Sequence, residues 1–240
     1  MSLRVEIIPC RTDNYSYVCI DSENNAFVVD PSEFIPVDDF IKKNNLNLKY
    51  ILNTHHHFDH IGGNKELKKK YNSIVVGFKH DSERIPEIDI CLEDNEIWKR
   101  DNFVAKIIHV PGHTKGHICF HFYKYKLLFT GDTLFSLGCG RIFEGTYEQM
   151  FSSLNKIKAM PLDTQIYCGH EYTLNNSKFC IKHDSENLNL KKKIQNIQIK
   201  LKNSLPTIPS TLKEELDCNI FLRAKDVKTF SKLRDLKDNF

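Results

Sequence analysis

The sequence predicts an α+β protein in which two β-sheets are covered by helices and a small all-helical region follows. Strand-like runs open the chain and recur after residue 100, with helical segments between them. From about residue 173 onward, only helical patterns remain. Clusters of His and Asp residues follow several of the strand-like runs. Because strand ends converge along one edge in such an arrangement, we expect these clusters to meet there.

Turn-forming segments separate the first strands, which are predicted at Arg4–Pro9, Tyr15–Ile20 and Ala26–Asp30. The apolar run Tyr50–Asn53 then leads into a His cluster. Further strands are predicted at Ser73–Gly77, Asn102–Val110, Ile118–Tyr123, Lys126–Thr130 and Gln165–Cys168. Helical patterns occupy residues 36–46, Asn64–Tyr71 and Tyr147–Ala159.

The C-terminal part is predicted to consist of helices interrupted at Ser204–Pro209, with a domain boundary that gives residues 1–172 and 173–240. Its helices are predicted at Asn175–Asn187, Leu190–Asn203 and Val227–Asp238, with another starting at Pro209-Ser210-Thr211. We expect the run Lys191-Lys192-Lys193 to face solvent. Residues 173–240 carry 14 Lys and Arg against 8 Asp and Glu, a net charge of +6, whereas the preceding part is −3. This asymmetry favours an anionic ligand for the C-terminal region.

The composition excludes several classes of protein. Of the 240 residues, 40% are hydrophobic and 27% charged, as in a soluble globular protein. No apolar run reaches the roughly 18 residues of a membrane span. No long basic run is interleaved with aromatic residues, so nucleic acid is not expected as a partner. The eight scattered cysteines include no Cys-x-x-Cys, and no presequence pattern opens the chain. These features predict free thiols and a cytoplasmic location.

The segment His55-His56-His57-Phe58-Asp59-His60 predicts a metal site. Residues two apart in an extended segment point to the same side, so His55 and His57 can share one ion, and Asp59 and His60 can serve a second. Three further donors follow strand-like runs, namely His113, Asp132 and His170. We assign His55, His57 and His113 to one ion, Asp59, His60 and His170 to the other, and Asp132 to both. His117 is a candidate to orient a ligand, although any single His is more often a core residue.

Imidazole and carboxylate donors suit two divalent metal ions, with zinc as our first assignment and iron or manganese as alternatives. Two ions roughly 3.5–4 Å apart can lower the pKa of a shared water toward about 7 and polarise a carbonyl. The sequence contains neither a Gly-x-Ser-x-Gly motif nor a Walker-type phosphate loop. Metal-assisted hydrolysis is therefore the predicted chemistry.

The metal motif resembles that of the metallo-β-lactamase superfamily, and longer stretches resemble the glyoxalase II family. Those stretches include Thr12–Tyr15, Thr54–Asn64, Phe129–Leu134, Gly138–Gly145, Tyr167–Thr173 and Pro206–Leu212. The resemblance implies a four-layer αβ/βα sandwich with a small C-terminal α-helical domain that holds glutathione. It also implies hydrolysis of the thioester S-D-lactoylglutathione to D-lactate and glutathione, in methylglyoxal detoxification, by a hydroxide that bridges two metal ions. Asp59 and Asp132 would then be catalytic.

The resemblance also implies the substrate-binding residues. Tyr172 matches the family tyrosine, and Arg234 and Lys237 match the C-terminal basic pair. Arg141 stands where the family often has lysine, and its planar guanidinium can bind a carboxylate through two hydrogen bonds. Phe143 stands where a hydroxyl-bearing aromatic is common, so one hydrogen bond to the peptide would be missing. The alternative reading for Arg234 and Lys237 is a solvated terminal helix.

Three other functions compete with this interpretation. A glutathione persulfide dioxygenase of the same superfamily would use a single iron and would resemble only the catalytic domain. A nuclease would need an RNA-gripping arm and positive charge near the metals. A binding module without turnover would have lost a liganding position. We expect a glutathione thioester as the small-molecule partner, no nucleic acid or membrane partner, and a monomer or weak dimer.

Overall fold

The computed structural model describes residues 3–240, which separate into two compact units. The first unit runs to His109 and takes in Gly116–Tyr125, and the second comprises Val110–Lys115 and Lys126–Phe240. Within the described part of the chain, no helix combines the length and the apolar composition needed to cross a bilayer.

The first unit contains a six-stranded mixed sheet. Its strands, in spatial and chain order, are β1 (Arg4–Cys10), β2 (Asn14–Ile20), β3 (Asn25–Val29), β4 (Asn47–Leu52), β5 (Ile74–Phe78) and β6 (Ile90–Leu92). The first three strands are antiparallel, and β3 to β6 are parallel. Every residue of β2 and β3 is buried, so both faces of these two strands are covered. Because β3 and β4 are parallel neighbours, the residues that follow Val29 and Leu52 lie at the same edge.

Three helices and a meander complete the first unit. The helices are α1 (Phe34–Lys43), α2 (Phe58–Ile61) and α3 (Asn64–Tyr71), and the meander is β7 (Ile97–Arg100), β8 (Phe103–His109) and β9 (Ile118–Phe122). Val37, Ile41 and Leu67 pack into one core with the sheet residues Val28 and Ile51. The helix predicted over 36–46 begins two residues earlier because proline is tolerated anywhere in a first turn. The short strands β6 and β7 were not predicted.

The second unit repeats the same parallel arrangement on a smaller scale. Strands β10 (Leu127–Gly131) and β13 (Gln165–Cys168) are parallel, and β14 (Ser210–Thr211) pairs with β13. A two-residue hairpin, β11 (Leu134–Phe135) and β12 (Gly138–Cys139), lies between β10 and β13 in the chain. The parallel pairing places the residues after Gly131 and after Cys168 at one edge.

Five helices surround these strands in the second unit. They are α4 (Tyr147–Lys158), α5 (Thr173–His183), α6 (Leu188–Lys202), α7 (Leu212–Cys218) and α8 (Val227–Asp238). Capping boxes at Thr146 and Thr211 fix the starts of α4 and α7, since each threonine binds the backbone N–H three residues on. Five helices were predicted here and five are present, with α5 and α6 each starting two residues early.

The prediction that the lysine run of α6 faces solvent is wrong at one residue. Lys191 and Lys192 are exposed, but the Lys193 side chain is only 11% exposed. Its ammonium lies 2.6 Å from Oε1 of Glu215, a carboxylate that is completely buried. A run of three lysines gives no sign that one of them is buried. Lys193 is buried because its partner, Glu215, belongs to another helix, α7.

Candidate metal centre

The first unit gathers donor groups at the edge where β3 and β4 end. His55 follows β4 by three residues and is completely buried, and His60 lies in α2 with 1% exposure. The His55 ring lies 4.7 Å from that of His57 and 4.2 Å from that of His60. Asp30, His55 and His60 each offer one ligand atom within 4.8 Å of the others. The predicted cluster is therefore compact in the structure.

Asp30, which ends the predicted strand Ala26–Asp30, holds this cluster together. One carboxylate oxygen accepts hydrogen bonds from the Thr54 hydroxyl at 2.7 Å and from Nδ1 of His60 at 3.0 Å. The other accepts from the Thr54 backbone N–H at 2.8 Å. A carboxylate only accepts, so His60 must carry its proton on Nδ1 and present Nε2 to an ion. Asp30 follows a strand directly, as Asp132 does, and this signal could have identified it.

Asp59 is positioned by a residue to which the sequence gave no role of its own. The Asn14 amide donates to the carboxylate of Asp59 at 3.0 Å and to its backbone carbonyl at 3.1 Å. The same carboxylate oxygen lies 3.7 Å from Nε2 of His60. Asn14 begins β2 and is 5% exposed, so a strand of the sheet fixes the side chain of Asp59.

His117 supports this cluster, whereas His56 binds a different partner. The His117 ring is buried and stacks on that of His55, with centroids 4.6 Å apart and planes 20° apart. His56 pairs through Nδ1 with the buried carboxylate of Asp81 at 3.1 Å. Nδ1 of His56 is therefore engaged in a structural contact, and His56 is not among the predicted ligands.

The second unit gathers its own donors at the edge where β10 and β13 end. Nε2 of His113 lies 3.5 Å from Oδ2 of Asp132, and Nε2 of His170 lies 3.4 Å from the same oxygen. The His113 ring is fixed because its Nδ1 donates to the carbonyl of Arg141 at 2.7 Å, which leaves Nε2 directed at Asp132. All three residues are buried. The structure thus brings together the three donors that were predicted from separate strand ends.

Gly140 allows the close approach on which this arrangement depends. A Cβ atom at Gly140 would lie 1.9 Å from the carbonyl oxygen of Asp132 and 3.2 Å from Nδ1 of His113. Any side chain at this position would push the backbone away from both donors. The second glycine of Gly138-Cys139-Gly140 is therefore required by packing against the candidate ligands.

The predicted substrate-binding residues all lie in the second unit. The Tyr172 ring stacks parallel to His170 with centroids 4.6 Å apart, and the exposed Phe143 ring meets His113 edge-on at 5.2 Å. Arg141 and Arg234 both hydrogen-bond to Oδ1 of Asp238, at 3.3 and 2.9 Å. Arg234 is 5% exposed and also donates to the carbonyl of Cys139 at 2.7 Å.

The Lys237 ammonium lies between two aromatic rings. Its Nζ is 5.3 Å from the centroid of Phe179 and 5.0 Å from that of Phe240. Among residues 3–240 it has no hydrogen-bond partner. Burial lowers the pKa of Lys237, and the positive charge of Arg234 adds to the effect. An anion placed at this ammonium would relieve both influences.

We expect Asp30→Asn to weaken metal binding about 10- to 100-fold without unfolding the protein. Asn tolerates the left-handed backbone of this residue, where φ is 48°, so the substitution tests the carboxylate alone. Zinc affinity, measured by competition with a chromophoric chelator, checks the expectation. The exposed Asp39→Asn is the control, and equal zinc affinities for the two variants would contradict the role given to Asp30.

Two family profiles match the chain over adjacent ranges. Residues 11–170 match the metallo-beta-lactamase superfamily, and residues 171–240 match the C-terminus of hydroxyacylglutathione hydrolase. The curated hydroxyacylglutathione hydrolase of Pelagibacter ubique is 64% identical over 239 residues, covering 99% of this chain and 100% of the relative. That of Methylococcus capsulatus is 39% identical over 253 residues, covering 99% of each chain.

Solved structures share the fold. ETHE1 from Myxococcus xanthus superposes with a TM-score of 0.74 at 21% identity, covering 98% of this chain and 90% of the other. The BLEG-1 B3 metallo-β-lactamase gives 0.71 at 22% identity, covering 92% of this chain and 100% of the other. These matches confirm the predicted metallo-β-lactamase fold with a C-terminal helical region. The chain belongs to the hydroxyacylglutathione hydrolase, or glyoxalase II, family of the metallo-β-lactamase superfamily.

Proposed function

We propose that this protein hydrolyses the thioester of S-D-lactoylglutathione to D-lactate and glutathione, the last step of methylglyoxal detoxification. Membership of the hydroxyacylglutathione hydrolase family over the whole chain is the observation that carries this proposal. The buried imidazole and carboxylate donors of each unit support it, because their chemistry suits zinc, iron or manganese.

Seven residues are proposed to hold two divalent ions, with zinc as the first assignment. His55, His57 and His113 would bind one ion, Asp59, His60 and His170 the other, and Asp132 both. Ions held there supply a water of lowered pKa and positive charge for the thioester carbonyl. Asp30 and the carbonyl of Arg141 contribute by fixing the rings of His60 and His113 through their Nδ1 atoms.

The C-terminal residues are proposed to bind the glutathione part of the substrate. We propose residues 1–172 as the catalytic domain and residues 173–240 as the glutathione-binding domain. Lys237 offers an ammonium to a carboxylate, Arg141 is exposed enough to reach another, and Tyr172 and Phe143 offer ring faces beside His170 and His113. Holding the remote tripeptide fixes the thioester over the reacting centre.

The remaining proposals concern partners and compartment. We propose a monomer or weak dimer without nucleic-acid or membrane partners. A cytoplasmic location is consistent with eight cysteines that form no disulfide.

Thiol release from S-D-lactoylglutathione by the zinc-loaded protein tests the proposed function. We expect turnover that is lost after chelation and returns when zinc is added back. Oxygen uptake with glutathione persulfide, measured on iron-loaded protein, tests the dioxygenase alternative. If the protein binds two ions and releases no thiol, the thioesterase assignment is wrong. If it takes up oxygen with one bound iron, the dioxygenase is the correct assignment.

A further inference from the structure

The β11–β12 hairpin is linked to two candidate ligands, Asp132 and His113. It begins two residues after Asp132, and Arg141, which follows it by two residues, accepts the hydrogen bond that orients His113. Its base is tied to β10, since the Thr130 hydroxyl donates to the carbonyl of Leu134 at 2.8 Å and Gly140 N–H to that of Thr133 at 3.2 Å. The conformation of this hairpin therefore sets the position of Asp132 relative to His113.

The hairpin cannot hold this conformation by itself. It contains only two residue pairs, Leu134 with Cys139 and Phe135 with Gly138. Isolated two-stranded hairpins are marginally stable even when longer. Leu137 at its tip adopts a left-handed backbone with φ of 58°, a conformation that is unfavourable for a non-glycine residue. Other parts of the unit must stabilise the turn.

Side chains from the C-terminal helices bind every carbonyl of the hairpin from residue 135 to 139. Asn219, at the end of α7, donates its amide to the carbonyls of Phe135 at 3.3 Å and Gly138 at 3.0 Å. The other three bonds run from Asn176 to Ser136 at 3.1 Å, from the Cys180 thiol to Leu137 at 3.1 Å, and from Arg234 to Cys139 at 2.7 Å. The C-terminal helices therefore hydrogen-bond to the hairpin at each residue from 135 to 139.

Glu215 of α7 binds the remaining polar groups of the tip. Its carboxylate accepts from the Leu137 backbone N–H at 2.7 Å and from the Ser136 hydroxyl at 3.0 Å. The same carboxylate accepts from Lys193 at 2.6 Å and from Asn219 at 3.1 Å. Burial acts to raise the pKa of Glu215, but the Lys193 ammonium and the hydrogen bonds outweigh it, and the pKa falls below its usual value. Glu215 is therefore a buried anion with four donors.

A buried ion pair is a weak source of stability, because desolvation offsets its Coulomb energy and apolar side chains can often replace it. The Glu215 carboxylate instead fixes the positions of its partners, because its two oxygens accept four hydrogen bonds from α6, α7 and the hairpin tip. We propose that Glu215, held by Lys193 and Asn219, is a positioning residue for hydrolysis that sets the hairpin so that Asp132 and His113 can bind their ion. This inference rests on the proposed metal assignment, and the hydrogen bonds that carry it run from Glu215 to the hairpin tip, Lys193 and Asn219.

The double variant Glu215→Gln/Lys193→Met separates positioning from stability. It removes both buried charges together, so no unpaired ammonium remains and we expect a Tm close to that of the wild type. Gln has one acceptor oxygen and cannot bind both Leu137 N–H and the Ser136 hydroxyl in the same way. We expect zinc affinity to fall about 10-fold or more, with a parallel loss of kcat and little change in KM.

Lys192, which is exposed, and Asp217, which is partly exposed, provide the matched control in the same two helices. Lys192→Met/Asp217→Asn makes the same change of charge in α6 and α7 but at the surface, and should leave zinc binding and kcat unchanged. The proposal would be overturned if the Glu215→Gln/Lys193→Met protein has a Tm close to that of the wild type and binds two zinc ions with wild-type affinity. Zinc binding is measured without substrate, so a wrong assignment of the thioester would not affect this result.

Ser136→Ala decides the question if the double variant does not fold. This change removes one hydroxyl that donates to Glu215 and leaves the ion pair intact. We expect a Tm lower by roughly a few degrees, because a hydrogen bond to a buried carboxylate is lost, and zinc affinity reduced about threefold or more. The threefold change is equivalent to roughly half of the 1.4 kcal/mol that a tenfold change represents. Wild-type zinc affinity in Ser136→Ala would overturn the positioning role.

Discussion

Asp132→Ala is expected to lower kcat for thioester hydrolysis by about 10³-fold or more, because residues that act as a catalytic unit fail together. Oδ2 of Asp132 lies within 3.5 Å of the Nε2 atoms of both His113 and His170, so its loss removes the group that those two rings share. Bound zinc should fall from two equivalents to one or fewer. Thiol release and metal analysis on the same dialysed sample check both expectations.

Asp163→Ala is the matched control for this variant. Asp163 is an exposed aspartate of the same unit that pairs with Lys126 at the surface, where ion pairs contribute little to stability. We expect it to retain both zinc equivalents and full turnover. Two equivalents of zinc with near wild-type kcat in Asp132→Ala would remove Asp132 from the metal centre and would require another bridging group.

The donor residues were predictable because the signal for each is local. Asp132 and His170 follow parallel strands, and parallel neighbours end at the same edge, so the strand pattern alone brings them together. Asp30 carries the same signal after β3, but a lone carboxylate after a strand can equally cap a turn. Only its hydrogen bonds to Thr54 and His60 distinguish the two roles.

The supporting residues were not predictable because their partners are distant in sequence. Lys193 belongs to a run of three lysines, and its periodicity gives no reason to bury it. Its partner Glu215 lies 22 residues further on, in another helix. The β11–β12 hairpin has two residues per strand, too few for an alternating pattern, and its stability comes from side chains of α5, α7 and α8. Tertiary hydrogen bonds, not local propensity, decide these elements.

The functional roles of Arg234 and Lys237, the basic pair of α8, are also difficult to separate from the sequence alone. The resemblance implies one role for Arg234 and Lys237, whereas their surroundings differ. Arg234 is buried and donates to the Cys139 carbonyl at the hairpin, so Arg234→Ala should weaken zinc binding and lower kcat as well as raise KM. Lys237 makes no hydrogen bond to the hairpin and should affect substrate binding alone.

Lys237→Met is accordingly expected to raise KM for S-D-lactoylglutathione about 10-fold or more while kcat changes less than about twofold. A hydrogen bond to a charged group contributes about 1.5–3 kcal/mol, and each 1.4 kcal/mol is a factor of ten. Met preserves the packing of the aliphatic stem between Phe179 and Phe240, so the loss is that of the ammonium. Steady-state kinetics on zinc-saturated protein measure the split between KM and kcat.

Lys182→Met is the control, because Lys182 lies over the same Phe240 ring at 5.2 Å but is exposed to solvent. A surface ammonium is already hydrated and has little to gain from a substrate carboxylate, so its removal should leave KM unchanged. The Lys237 ammonium is buried and has no hydrogen-bond partner within the described part of the chain, and burial lowers its pKa. An unchanged KM in Lys237→Met would show that the aromatic rings, and not a substrate anion, account for its position.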